Sequence, residues 1–208
     1  MGRLDDRVAV VTGAAQGIGA TYAKAMAAEG ASVIVADQDD GQKVVNEITA
    51  MGGTALNIVT DVSNEASCAA MTVKAIDSFG RLDILVNNAA IFGHLDTKPF
   101  EQISVDEWDS LMAVNVRGVF VATKAVISQM RKQQYGKIIN IASGTLFKGT
   151  PMLLHYVTSK GAVLAMTRCI SREVGDDNIC VNTLAPGLVM SENVLAGDAF
   201  SDTGVDAN

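Results

Sequence analysis

Short runs that are apolar throughout and rich in β-branched residues recur along this chain, each separated from the next by a stretch of helical length. The runs occupy residues 8–11, 32–36, 55–60, 84–86, 137–142 and 179–184. They do not alternate polar with apolar, so they are expected to be strands covered on both faces. Helices are expected at about 18–28, 41–51, 64–78, 105–131 and 151–173. This alternation implies a parallel sheet with helices on both faces, an α/β doubly wound architecture. A chain of 208 residues suits one such domain, and no internal repeat, low-complexity tract or linker divides it. Ser104-x-x-Glu107 reads as a capping box, in which each side chain satisfies the other residue's backbone N–H. Gly30, Gly80 and Gly136 fall just past helices, where left-handed caps are expected.

Composition removes several function classes. With 49% hydrophobic and 19% charged residues, the chain can bury a core and is not expected to be disordered or fibrous. Its net charge of −7 and lack of a basic cluster argue against nucleic acid or an anionic membrane as partner. The longest apolar runs are too short to cross a bilayer, and the start MGRLDDRVAVV is not a signal peptide. Three cysteines, Cys68, Cys169 and Cys180, share no CxxC spacing and read as buried thiols of a cytoplasmic protein. His94 and His155 lack acidic partners at ligand spacing, so no metal site is expected. Met26, Met71, Met112 and Met166 fall on helices and are expected in the core.

In an open parallel sheet, ligands bind beyond the carboxyl ends of the strands, where strand order reverses. Strand one runs into Thr12-Gly13-Ala14-Ala15-Gln16-Gly17-Ile18-Gly19. Glycines there permit a tight turn and a close backbone approach, and the following helix N-terminus offers free N–H groups to a pyrophosphate. The same turn could be a simple βα connection, but it opens the first helix of a βαβ unit, which favours a nucleotide. Strand two ends at Asp37, which can take both ribose hydroxyls and repel a 2′-phosphate; a helix N-cap is its alternative. No Arg or Lys occurs at 13–19 or directly after Asp37, so NAD is favoured over NADP.

Tyr156-Val157-Thr158-Ser159-Lys160 sets a phenol and an ammonium four residues apart, on one helix face. A fixed cation favours the phenolate, and bringing a tyrosine to neutral pH requires roughly 4 kcal/mol of differential interaction. A phenol so adjusted serves as a general acid or base. On its own the pair could be an exposed helical couple. Its companions give it meaning.

The turn at 12–19, the run Asn87-Asn88-Ala89-Ala90, Asn115, Ser143 after strand five, Tyr156 with Lys160, and Pro186-Gly187 stand in an order and spacing that resembles the short-chain dehydrogenases/reductases. The resemblance covers almost the whole chain and implies a Rossmann fold. It departs where the family's Asn-Asn-Ala-Gly ends here in Ala90. It also implies a last helix and a seventh, edge strand, so about six strands are expected with the usual seventh absent.

What the resemblance implies about residues is specific. Tyr156 exchanges the proton of the reacting hydroxyl or carbonyl oxygen, Ser143 hydrogen-bonds that oxygen, and Lys160 also grips the nicotinamide ribose. Asn115 disturbs its helix and binds a water that relays protons; a purely structural hydrogen bond is the alternative. Gly13, Gln16, Gly17, Ile18 and Gly19 hold the pyrophosphate, and Asp37 the adenosine ribose. Asp61 and Val62 contact adenine, Asn88 and Ala89 stand near the ribose, and the backbone at Pro186, Gly187 and Val189 anchors the carboxamide. Turn formation is the alternative for Asn88 and for Pro186-Gly187. A homodimer or homotetramer is implied, and 191–208 is expected to be a mobile substrate lid.

Candidate pocket residues are Ile91, Phe92, Gly144, Thr145, Leu146, Leu153, Leu188 and Met190. The set is mostly apolar and contains no Arg or Lys, so a neutral hydrophobic secondary alcohol, alicyclic or aromatic, is expected as substrate. His155 is turned about 100° from Tyr156 along the helix and is expected at the surface or an interface. His94 reads as loop polarity. Three functions are compatible with these motifs: an oxidoreductase, an impaired or sensing nucleotide-binding protein, and a methyltransferase, which would leave the Tyr-x-x-x-Lys pair without a task.

Overall fold

The computed structural model describes residues 2–93 and 95–189. Every expected run forms a strand, with ends shifted by no more than one residue: β1 (Val8–Thr12), β2 (Ser32–Asp37), β3 (Thr54–Val59), β4 (Ile84–Asn87), β5 (Gly136–Ile141) and β6 (Ile179–Leu184). They pair in the order β3-β2-β1-β4-β5-β6, all parallel. The chain therefore winds outward in one direction from β1 and then in the other from β4. The crevice where a ligand binds opens between these two strands.

Alternate residues of each strand feed separate cores. Ala9 and Val11 of β1 pack with Val33 and Val35 against helices α1 (Gly17–Ala28) and α2 (Gln42–Ala50). Val10, Ile34 and Leu85 pack on the opposite face against α3 (Glu65–Phe79) and α5 (Gly118–Gln133). β1 and β4 are buried along their whole length. The edges depart from the expected two-sided cover. β3 is half-buried in its middle and exposed at Thr54 and Val59, and β6 alternates, with Ile179 and Val181 in the core while Cys180, Asn182 and Leu184 are exposed. An edge strand has a sheet neighbour and helix cover on fewer sides, so its apolar content does not by itself imply burial. Only Cys68 is a buried thiol; Cys180 is exposed on edge strand β6 and Cys169 on the outer face of the helix spanning residues 154–173.

The fourth expected helix is continuous in space but not uniform: α4 (Val105–Met112), a π-helical turn (Ala113–Arg117) and α5 follow without a break. By length and composition alone, Val105–Gln133 is apolar enough to cross a membrane, although it contains no long uninterrupted apolar run. Its Leu111, Val119, Val121, Ala122, Val126 and Met130 are buried against the sheet and neighbouring helices, as in a core helix. Only half of the capping box forms. Ser104 Oγ accepts the Glu107 N–H at 3.1 Å, but the Glu107 carboxylate turns instead to Lys98 Nζ at 3.1 Å and His155 Nε2 at 3.2 Å.

Gly30 and Gly80 take left-handed conformations, φ 96° and 75°. Gly136 does not; the left-handed cap is Gln134, φ 50°, and Gly136 begins β5 where Met130 leaves no room for a Cβ. A short helix absent from the sequence reading, α6 (Thr145–Lys148), follows β5. The last α-helix among the described residues, α7 (Leu154–Glu173), starts later than expected, after a turn in which Met152 adopts φ 66°. Met71 is fully buried and Met26 and Met166 pack at core margins, whereas Met112 lies on a shallow surface groove beside Phe120.

Candidate active site

The glycine turn after β1 is held from the end of β4. Thr12 Oγ1 donates to the Val86 carbonyl at 3.2 Å and accepts the N–H groups of Asn88 and Ala89, each at 3.1 Å. Asn88 Nδ2 donates in turn to the Thr12 and Gly13 carbonyls at 3.0 Å. The Asn88 amide is thus committed to shaping the turn, while the residue still lines the crevice. Gly13 and Gly17 have φ 64° and 59°, and a Cβ on Gly19 would strike the Gly13 carbonyl. Gln16 precedes α1 in extended conformation with no side-chain cap, and the first turn holds no acidic residue. The helix therefore presents uncapped N–H groups and its positive dipole end to the crevice, which fits a pyrophosphate.

Asp37 Oδ2 accepts the Ala15 N–H at 2.9 Å, and Oδ1 the Asp39 N–H at 3.2 Å. It does not cap α2, whose Gln42 N–H is taken by Asp40 Oδ1 at 3.0 Å. Its carboxylate lies against the glycine turn with acceptor capacity left for ribose hydroxyls. Asp61 Oδ1 accepts from Ser63 N and Oγ at 2.8 and 2.7 Å, and Val62 is buried beneath Gly118. Both line the same crevice, as do Ile18 and Ala89.

At the other end, Tyr156 and Lys160 lie one turn apart on α7, both buried. Lys160 Nζ donates to the Ile141 carbonyl at 2.8 Å and stands 5.6 Å from the centroid of the Tyr156 ring. The Phe92 ring packs on that of Tyr156 at 4.5 Å between centroids. Burial pushes the Tyr156 phenol up, and the Ser143 hydroxyl beside it pulls the other way. Burial also lowers Lys160 to about 8. The expected depression of the phenol by the ammonium is therefore not what the protein alone shows. Removal from water disfavours both charged forms.

Asn115 is buried within the π-helical turn. Its Oδ1 accepts the Ile91 N–H at 2.8 Å, while Nδ2 donates to the Ile91 carbonyl at 3.3 Å and to Ser159 Oγ at 3.2 Å. Ser159 Oγ donates to the Tyr156 carbonyl at 2.6 Å. Asn115 thus connects the segment after β4 to the helix carrying Tyr156, but lies behind Ile91 and not on the crevice wall. The π turn gives a physical basis for the expected disturbance of the helix.

These elements enclose one cavity of about 420 Å³. Gly13, Gln16, Gly17, Gly19 and Asp37 line one end, and Ser143, Tyr156 and Lys160 the other. Pro186, Gly187 and Val189 also line it, and the Pro186 carbonyl accepts the Gly144 N–H at 2.8 Å, tying the segment after β6 to that after β5. Of the expected substrate contacts, Ile91, Phe92, Gly144, Thr145 and Leu188 are on the wall. Two are not. Leu146 packs against Val119, Ala142 and Val163, and Leu153 is buried with Leu95 and Leu111. The onset of helix at Thr145 turns Leu146 inward, and the turn at Met152 does the same for Leu153. Met190, His94 and the expected lid at 191–208 lie outside the described residues.

The wall also contains residues that sequence reasoning missed. Lys148 and Thr150 line the cavity, so it holds a lysine besides Lys160 that the candidate substrate set did not include; Lys148 is carried there by α6. His155, expected at the surface or an interface, is instead fully buried within the chain, because α4 covers that face of α7 and Glu107 meets its Nε2. Among the described residues no cluster of three or more His, Cys, Asp or Glu could hold a metal ion.

The fold, the glycine turn and the tyrosine–lysine pair on one cavity define a class, and comparison with known proteins agrees. The family described as short chain dehydrogenase matches residues 7–198. Cyclopentanol dehydrogenase of Comamonas testosteroni is 39% identical over 200 residues, covering 94% of this chain and 79% of the relative. Versicolorin reductase 1 of Aspergillus parasiticus is 37% identical over 218 residues, covering 98% and 80%. Among solved structures, the 3-ketoacyl-(acyl-carrier-protein) reductase of Brucella melitensis complexed with NADH superposes with a TM-score of 0.85 at 32% identity, covering 92% of this chain and 79% of that one. The chain belongs to the short-chain dehydrogenase family of oxidoreductases, which use a nicotinamide cofactor.

Proposed function

We propose that the chain is an NAD-dependent dehydrogenase that interconverts a hydrophobic secondary alcohol and its ketone, with Tyr156 as the general acid and base. One observation carries the reading: Ser143, Tyr156 and Lys160 line the same cavity as the uncapped α1 N-terminus and Asp37. The α1 N–H groups would hold the pyrophosphate, Asp37 the adenosine ribose, and Lys160 the nicotinamide ribose. Bound there, the cofactor supplies the hydride acceptor for oxidation and the donor for reduction. In oxidation, Ser143 donates to the substrate oxygen and Tyr156 takes its proton; in reduction, Tyr156 returns it. The phenol must be ionised to act as base, so burial of Tyr156 implies oxidation that quickens as pH rises into the alkaline range.

Asp37 favours NAD because its carboxylate would repel a 2′-phosphate. Phe92, Ile91 and Leu188 make an apolar substrate wall, and the likeness to a cyclopentanol dehydrogenase supports an alicyclic alcohol. The groove of Met112, Val116, Phe120 and Met166, flanked by Asp109 and Arg117 and with Phe120 51% exposed, supports self-association as a homodimer or homotetramer. The test is a panel of secondary alcohols assayed with NAD and with NADP. NADH formation with cyclopentanol or a related alcohol is expected; binding of NAD with no turnover of any alcohol or ketone would overturn the reading.

A further inference from the structure

We propose that Thr145 is a positioning residue that holds Ser143 as an obligate hydrogen-bond donor toward the reacting oxygen. The inference rests on the alcohol dehydrogenase reading above and deepens it.

A serine hydroxyl has one proton and two acceptor lone pairs, and its role depends on which of these its neighbours occupy. Here one residue is placed to claim both lone pairs, its N–H necessarily as donor and its hydroxyl as the donor we infer. The Thr145 N–H donates to Ser143 Oγ at 3.2 Å, and Thr145 Oγ1 donates to the same oxygen at 2.9 Å. A backbone N–H can only donate, so at least one lone pair is fixed whatever the hydroxyl rotors do. Ser143 is only 9% exposed, which leaves little water to compete. Its proton is then directed away from Thr145 and into the cavity, where in the free protein it meets Tyr156 and favours the phenolate, and where a bound substrate oxygen takes it instead.

The backbone keeps this arrangement in register. The Gly144 N–H donates to the Pro186 carbonyl at 2.8 Å, and Thr145 begins α6, whose Gly149 N–H closes on the Thr145 carbonyl at 2.9 Å. Thr145 itself is on the cavity wall, so its hydroxyl is placed by the same turn that places Ser143.

The consequence is chemical. The substrate oxygen is an alcohol at the start of oxidation, gains negative charge as its proton passes to Tyr156, and ends as a carbonyl. Throughout, a donor at Ser143 is useful, and most of all while charge develops. A Ser143 free to accept would take the alcohol's own O–H and turn that proton away from Tyr156. Donation from Thr145 Oγ1 also polarises the serine hydroxyl, strengthening its outgoing bond.

The experiment compares the native protein with Thr145→Val, which replaces only the hydroxyl by a methyl, and Thr145→Ser, which retains it. Kinetics are measured with NAD and an accepted secondary alcohol across pH. In parallel, Tyr156 is titrated by ultraviolet absorbance in the cofactor-free protein, with Tyr22 and Tyr135 replaced by Phe. Thr145→Val is expected to lower kcat roughly tenfold, leave KM for NAD within about twofold, and move upward both the rising limb of kcat/KM against pH, which reports the free enzyme, and the Tyr156 titration. Thr145→Ser should keep kcat within about threefold of native, with the limb in place. Native-like kcat and titration in Thr145→Val overturn the proposal. So does a Thr145→Ser variant as impaired as Thr145→Val, because the lost feature is then the methyl's packing. If the native protein turns over no alcohol or ketone, the functional reading fails instead, and the Tyr156 titration still decides whether Thr145 acts through Ser143.

Discussion

Asp37, at the end of β2, reaches across to the loop after β1 and accepts the Ala15 N–H at 2.9 Å. The residue that would select the cofactor therefore also braces the turn that would bind its phosphates. These roles separate by mutation. Asp37→Asn with Gln38→Arg should keep acceptor capacity toward Ala15 while removing the negative charge and adding a guanidinium for a 2′-phosphate. The ratio of kcat/KM for NADP over NAD is expected to rise about 100-fold, equivalent to roughly 2.7 kcal/mol. Steady-state kinetics with both cofactors check it, and an unchanged ratio removes Asp37 from cofactor choice.

Asn115 holds both backbone polar groups of Ile91 and also Ser159. Asn115→Ala leaves those groups without partners in a buried place and should cost about 2–4 kcal/mol of stability. Denaturant unfolding measures this. A loss below about 0.5 kcal/mol would show that water replaces the amide, and Asn115 would then not brace the loop bearing Ile91 and Phe92.

Lys160 makes the folded state pH-dependent. Burial lowers it from the ordinary 10.5 to about 8. Below pH 8 the lysine is charged in both states and the burial cost is fully present. Between 8 and 10.5 the unfolded chain keeps a proton the folded protein has released, so stability rises with pH over that window. Lys160→Met should therefore stabilise the protein at pH 7, by about 3 kcal/mol from the burial cost less about 1 for the lost bond to Ile141. Its advantage should shrink toward pH 10, and activity should be lost. Urea titrations at both pH values test this; a variant less stable than native at pH 7 contradicts it.

The sheet was legible because strands such as 8–11 and 84–86 are apolar on both faces, a pattern that survives any tertiary context for central strands. Edge exposure was not, since Cys180 and Leu184 look like core residues until the neighbouring cover is known. The site's principal groups were legible because they sit directly after strands or at helical spacing, as Asp37, Ser143, Tyr156 and Lys160 do. Residues placed by irregular backbone were not. Leu146 and Lys148 exchange their expected relation to the cavity because of a four-residue helix with no periodic signal. The helical step from Tyr156 turns His155 away from the cavity, but nothing local says that α4 will cover it. Glu107 matched a capping pattern, yet a buried histidine and Lys98 proved the stronger claim on its carboxylate.

The central claim is that Tyr156 transfers the proton of the reacting oxygen, and Tyr156→Phe tests it most directly. NADH formation from NAD and cyclopentanol, or the best alcohol of the panel, should fall by about a thousandfold in kcat, within the range of a lost general base. NADH binding measured by fluorescence should stay within about threefold, since the ring and its packing on Phe92 are kept. A Tyr156→Phe variant that retains kcat within tenfold of the native protein, with binding equally intact, would contradict the account.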